Sequence, residues 1–180
     1  VRRHETAMRQ HQETIDIARI EDQLQHIATR LGELDQFDFS LDTLLASVEK
    51  SYAQGRRCLN ALRKSAATDK RNEFRKRART LWHQLRLMNQ WNPELLSPLI
   101  GELGELCERL GKDNDLAGLV DILPSIETAS ENPVRIDLLD SLTESRRCDL
   151  LEQSLRLGDT IYLRKTGEFM DWFKAIKVEH

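Results

Sequence analysis

Proline is scarce in this chain, with four in 180 residues, and glycine is little commoner, with eight. Few breaks are available, so a fold built on many tight turns is excluded and long helices are expected. Runs of β-branched residues are missing too, while Leu, Arg, Glu, Ala and Gln are plentiful, which argues the same way. No stretch approaches the roughly 18 apolar residues of a membrane span, and the first residues contain no apolar signal core. The three cysteines, Cys58, Cys107 and Cys148, form an odd, widely spaced set without metal spacing. They read as free thiols in a reducing compartment, which points to the cytoplasm. The chain opens without Met and inside a helical pattern, as a piece of a longer chain would. What is present is 39% apolar and 32% charged residues. That is a charge-rich globular composition, too apolar for disorder and long enough to bury a core.

The apolar residues recur at helical spacing. Met8, Ile15, Ile20, Leu24, Ile27, Leu31 and Leu34 predict an amphipathic helix over about residues 4–34, broken by "GELDQFDFS". Ser40 or Asp42 can cap a second helix, with Leu41, Leu44, Leu45, Val48, Tyr52, Leu59 and Leu62 on one side. "SAATD" is a short connection, and Thr68 or Asp69 can cap a third helix ending near Asn89. Asn92 and Pro93 make a strong start for a fourth, predicted to end at Gly111. A short fifth helix is predicted to stop before Pro124, a long sixth to run from Asn132–Pro133 to about Gly158 or a little beyond, and a last short one to carry Phe169, Trp172, Phe173 and Ile176. Short connections make neighbours antiparallel.

The net charge is −3, yet residues 50–86 carry twelve bases and two acids, leaving −13 for the remainder. On a projection at about 100° per residue, Phe74, Ala78, Leu81, Trp82, Leu85 and Met88 share an arc of about 120°. Arg71, Arg75, Arg79 and Arg86 fall in the adjoining arc, with Lys76, Asn72 and His83 beside them. Like charges one turn apart each cost a few tenths of a kcal/mol, so such segregation calls for a partner anion. That anion can be acids on another helix, such as "GELGELCER", or a ligand. A row of arginine forks about 5–6 Å apart suits the repeat of a phosphate chain or a nucleic-acid backbone. Both readings stay open at this point.

Other chemistry is thin. Asp113 and Asp115 can hold a divalent cation, but capping the fifth helix is the plainer role. His4 and His11 share a helix face without a third ligand. His83 can donate to phosphate or simply pack. Trp82, Trp91 and Trp172 read as core or helix-end packing rather than as base-stacking platforms. No Gly-rich phosphate loop, nucleophile–base motif or clustered carboxylate set stands out, so no enzyme, metal or cofactor is read.

The stretch "NEFRKRARTLWHQLRLMNQWNPELLSPLIGELGELCERLGKDNDLAGL" (72–119) resembles the second half of CHAD domains, the conserved histidine α-helical domains. Arg75, Lys76 and Arg79 occupy that family's basic positions, Leu81, Trp82, His83 and Leu85 follow in order, and "LGKDNDL" (110–116) matches its second motif. "SYAQGRRCLNAL" (51–62) looks like the preceding helix and residues 146–173 like the C-terminal end, so the resemblance covers about residues 40–177. The name-giving histidine falls at Asn72, and the second motif's frequent histidine at Asn114. No earlier copy of the basic motif is found before residue 50.

The resemblance implies an all-α antiparallel helical bundle of CHAD type with a basic groove or channel. Residues 1–180 would be a single domain, with a lead helix over 1–39 and an absent or degenerate N-terminal repeat. It also implies non-catalytic binding of inorganic polyphosphate, with phosphate or sulfate ions as stand-ins. Arg75, Lys76 and Arg79 would bind together with Arg56. Arg57, Arg63, Arg71 and Arg86 would form a second tier, and Tyr52 would orient them. The protein is then expected in the cytoplasm, in association with polyphosphate granules. The competing expectations are a nucleic-acid-binding helical domain using the same face, and an adaptor docking an acidic protein partner.

Overall fold

The structure is a computed structural model that describes residues 40–127 and 133–175, without the side chains of 124–127 and 133–136. Among the described residues 93% are helical, in five α-helices, and no strand occurs. These are α1 (Leu41–Lys64), α2 (Thr68–Met88), α3 (Pro93–Glu127), α4 (Pro133–Ile161) and α5 (Thr166–Ala175), with a 3-10 turn over Asn89–Trp91 between α2 and α3. Neighbours in sequence pack as neighbours in space, α1 on α2, α2 on α3 and α3 on α4. The predicted helix over 4–34, His4, His11, Asn132 and Ile176 lie outside the described residues.

Each helix buries one stripe at helical spacing. On α1 it is Val48, Tyr52, Gly55, Leu59 and Leu62. On α2 it is Phe74, Ala78, Leu81, Leu85 and Met88. Leu96, Leu103, Leu106 and Leu110 of α3 complete the main core with Ile161, Tyr162, Phe169, Met170 and Phe173. The aromatic rings hold α5 in place. Tyr52 stacks on Phe169 with centroids 3.8 Å apart, and Tyr162 tilts against Tyr52 at 5.2 Å and Phe74 at 5.9 Å. Tyr162 fits only because Gly55 has no side chain, since a Cβ there would lie 2.4 Å from its hydroxyl.

Three boundary expectations need correction. The fourth and fifth predicted helices are one continuous α3. Gly111 does not end it: no described glycine takes a positive φ, and the buried stripe runs on through Leu110, Asp113 and Ala117. Pro124 also lies within it. Asp113 is therefore a mid-helix residue and caps nothing. At the start of α2 the N-cap position is Ala67, with no side-chain cap bond, and Thr68 Oγ1 accepts instead from Arg147 Nη2 at 3.0 Å. The Asn92 cap is as expected, with Leu95 N donating to Asn92 Oδ1 at 3.1 Å.

Candidate functional site

With its core stripe buried, α2 presents two flanks. Gln84 Nε2 donates to Ser47 Oγ at 2.7 Å, which turns one flank to α1. Trp82 turns the other to α3, where a Cβ on Gly104 would lie 3.2 Å from Trp82 Nε1. Arg75 and Arg79 are on this second flank, close to Cys107 of α3. Burial pushes the Cys107 thiol up to about 11, against the pull of the Arg79 and Arg75 guanidiniums.

Arg75 is half-buried, and its Nε and Nη2 donate to Asn72 Oδ1 at 3.3 and 3.1 Å. The amide that stands where the resembled family has its histidine thus orients a guanidinium one turn away. Lys76 and Arg79 are exposed. Among the described residues none of the three has an ion-pair partner. Of the acids on α3 that could have neutralised them, Glu105 is engaged with Arg109 and Glu108 with Lys112 Nζ at 2.6 Å, while Glu102 has no ion-pair partner among the described residues.

The other expected members do not converge on this row. Arg56 lines a cleft of about 330 Å³ with Leu59, Asn60, Arg63, Asp159, Tyr162 and Leu163, at the end of α4. The lining of that cleft includes none of Arg75, Lys76 and Arg79. Arg63 in that cleft is paired with Asp159 and donates to Asn60 Oδ1 at 3.0 Å. Arg57 is exposed and neighbours Cys58 with Arg77, and Arg77 itself pairs with Glu73 at 2.6 Å. Arg86 is exposed, with its guanidinium 4.6 Å from the centroid of the Trp82 ring, and the His83 ring is tilted against that ring with centroids 4.8 Å apart.

Arg71 and Tyr52 belong to the interior. Arg71 is buried, and its Nη1 donates to Asp113 Oδ1 at 2.6 Å while its Nε donates to the Ala66 carbonyl at 2.8 Å. Arg147 of α4 is buried beside it, donating from Nε to the same Asp113 oxygen at 3.3 Å and from Nη1 to Glu144 at 2.6 Å. A charge on Arg71 that is already neutralised and enclosed is not free for a ligand. Tyr52 is fully buried, and its hydroxyl lies 3.3 and 3.1 Å from the Ile161 and Arg164 carbonyls. Burial pushes that hydroxyl up to about 12, with Arg56 and Arg164 pulling the other way. It anchors the chain between α4 and α5 and orients no arginine.

Sequence reasoning missed Asp113 as the shared partner of Arg71 and Arg147, because nothing local in "SRRC" marks an ion pair and the cluster spans three helices. Among the described residues no group of three His, Cys, Asp or Glu side chains is placed to hold a metal, and no helix is long and apolar enough to cross a membrane.

The family model described as CHAD domain matches residues 1–124, more than half of the chain. The chain belongs to the CHAD domain family. The match takes in the basic row on α2 and its CHAD-like continuation through α3, and it stops before α4. Neither a curated protein nor a solved structure matches the chain.

Proposed function

We propose that this CHAD domain binds inorganic polyphosphate without catalysis, through Arg75, Lys76 and Arg79. The single observation that carries the reading is that these cations have no acid partner among the described residues, although glutamate-rich α3 packs on the same helix. Holding like charges one turn apart costs stability, and an anion laid along the row removes that cost. CHAD domains are linked to polyphosphate binding in general, and guanidinium forks at this spacing suit successive phosphates. Arg86 and Arg57 are the outer contacts, Arg56 offers a separate one in its own cleft, and Arg63 contributes only by releasing Asp159. Arg71 and Tyr52 support the fold. Three free thiols fit a cytoplasmic protein, located at polyphosphate granules where these form.

Each charge-assisted contact is worth about 1.5–3 kcal/mol. Arg75→Ala with Arg79→Ala should therefore weaken polyphosphate binding by at least about a hundredfold, with the circular-dichroism spectrum unchanged. Unchanged affinity would reject the site. A two-way competition at near-physiological salt separates the ligands. Polyphosphate should displace a single-stranded oligonucleotide and a duplex at equal phosphate concentration, and neither should displace it. The Trp82 face is covered by Arg86, so the row offers no open ring for a base. Displacement of polyphosphate by either nucleic acid would make the row a nucleic-acid backbone site.

A further inference from the structure

The ion cluster of Arg71, Asp113, Arg147 and Thr68 marks where α2 begins along the bundle. Beyond it α3 runs on from Asn114 to Glu127, and α4 has run from Pro133 before reaching Arg147. Each projecting arm is about 20 Å long at 1.5 Å per residue. Among the described residues none of these arms joins the main core; Ala117, Leu123 and Thr143 are buried outside it. Such a pair of arms is a marginal structure by itself.

Its surface is apolar and acidic together. Leu138, Leu139 and Leu142 are 60%, 41% and 59% exposed. Asp137, Asp140 and Ser141 between them are exposed as well, so nearly two turns of α4 face solvent all round. Residues 114–123 and 137–145, whose side chains are described, carry five acids and no base. Asp137 and Asp140 have no ion-pair partner among the described residues.

We propose that this projecting hairpin is a docking surface for a cationic amphipathic helix of a partner protein. The leucines bury against the helix's apolar stripe, and the aspartates meet its lysines or arginines. A second copy fits poorly. Two hairpins brought together would double an uncompensated negative charge. The basic α1 and α2 of another copy offer Leu87 as their one exposed large apolar side chain, which would leave the three leucines wet.

The test uses the full chain and an 18-residue leucine–lysine amphipathic peptide, with a scramble of the same composition and a leucine–glutamate version as controls. Binding is followed by calorimetry at about 150 mM salt, where long-range attraction is largely screened. The lysine peptide should bind roughly tenfold or more tighter than the scramble, and the glutamate peptide should not bind. Leu138→Ser with Leu142→Ser should remove that tenfold preference. Asp137→Asn with Asp140→Asn, which leaves the leucines alone, should weaken binding several-fold and flatten its salt dependence. Equal binding of peptide and scramble would overturn the proposal, as would aspartate variants that bind like the parent. Sedimentation showing a dimer that the leucine variants dissolve would overturn it in favour of self-association.

Discussion

The hairpin of α1 and α2 holds twelve cations and four acids, while α3 and α4 hold fourteen acids and six cations. The two halves thus carry +8 and −8, and they pack together. Yet among the described residues only two ion pairs cross between them, Arg63–Asp159 and Arg71–Asp113. In α3 and α4, four of the five cations with described side chains are ion-paired. In α1 and α2 three of the twelve are. Opposite net charge has not been spent on mutual pairing. The acidic half pairs off its own few cations and keeps a surplus of acids, the basic half is left open, and apolar and aromatic packing joins them.

The largest effect expected from breaking this arrangement is at Asp113. It is 1% exposed and is shared by Arg71 and Arg147. Asp113→Ala would leave the buried Arg71 guanidinium without a counter-charge and Arg147 with Glu144 alone, a loss of about 3–5 kcal/mol, read as a fall in the urea midpoint. The other crossing pair is solvent-exposed on both sides, so Asp159→Asn should cost less than about 1 kcal/mol. Similar costs at the two positions would show that burial does not separate them. Apolar joining of the halves is tested next. Gly55→Ala places a methyl against the Tyr162 ring and should cost about 1–3 kcal/mol by overpacking, with the basic row on α2 untouched.

Alkaline pH probes the same interface. Burial raises Cys107 from 9.0 to about 11 and Tyr52 from 10.0 to about 12. Both groups are neutral when protonated. Below pH 9 the folded and unfolded chains hold both protons, and the full stability is present. Between pH 9 and 11 the unfolded thiol ionises while the folded one does not, so stability falls as pH rises, and Tyr52 extends the fall from 10 to 12. Urea midpoints taken at pH 8, 9.5 and 10.5 should decline, and Cys107→Val should flatten the first part of that decline.

Much of this was legible in the sequence. The Asn92–Pro93 start, the buried stripes and the basic row are local patterns, and a helical projection recovers them. What was lost lies between helices. Gly111 reads as a stop until Leu110, Asp113 and Ala117 are seen to share one buried face. Arg71 sits in the same arc as Arg75 and Arg79, one turn earlier, and nothing local says that Asp113, 42 positions away, has claimed it. Arg56 looked like a neighbour of the row because adjacent helices contact each other. Which flank of α1 it occupies depends on where the end of α4 lies.

The smallest expected effect concerns how the open half is tuned. Asn72 Oδ1 takes two donors of Arg75, which fixes the fork and leaves Nη1 for an anion. Asn72→Leu keeps the helix but frees that side chain. Losing an orienting hydrogen bond of about 0.5–1.5 kcal/mol should weaken polyphosphate binding by roughly two- to tenfold, well short of the Arg75 and Arg79 double substitution. Asn72→His separates orientation from charge. A neutral imidazole can still accept from Arg75, whereas an imidazolium adds a cation to the row, and the change falls near pH 6.5. The variant should therefore bind more tightly at pH 5.5 than at pH 8, relative to the parent at each pH. Taking that ratio cancels the contribution of His83, which both proteins share. A ratio that does not move with pH would mean that position 72 does not sense the bound phosphate, and that Asn72 serves only to pack the first turns of α2.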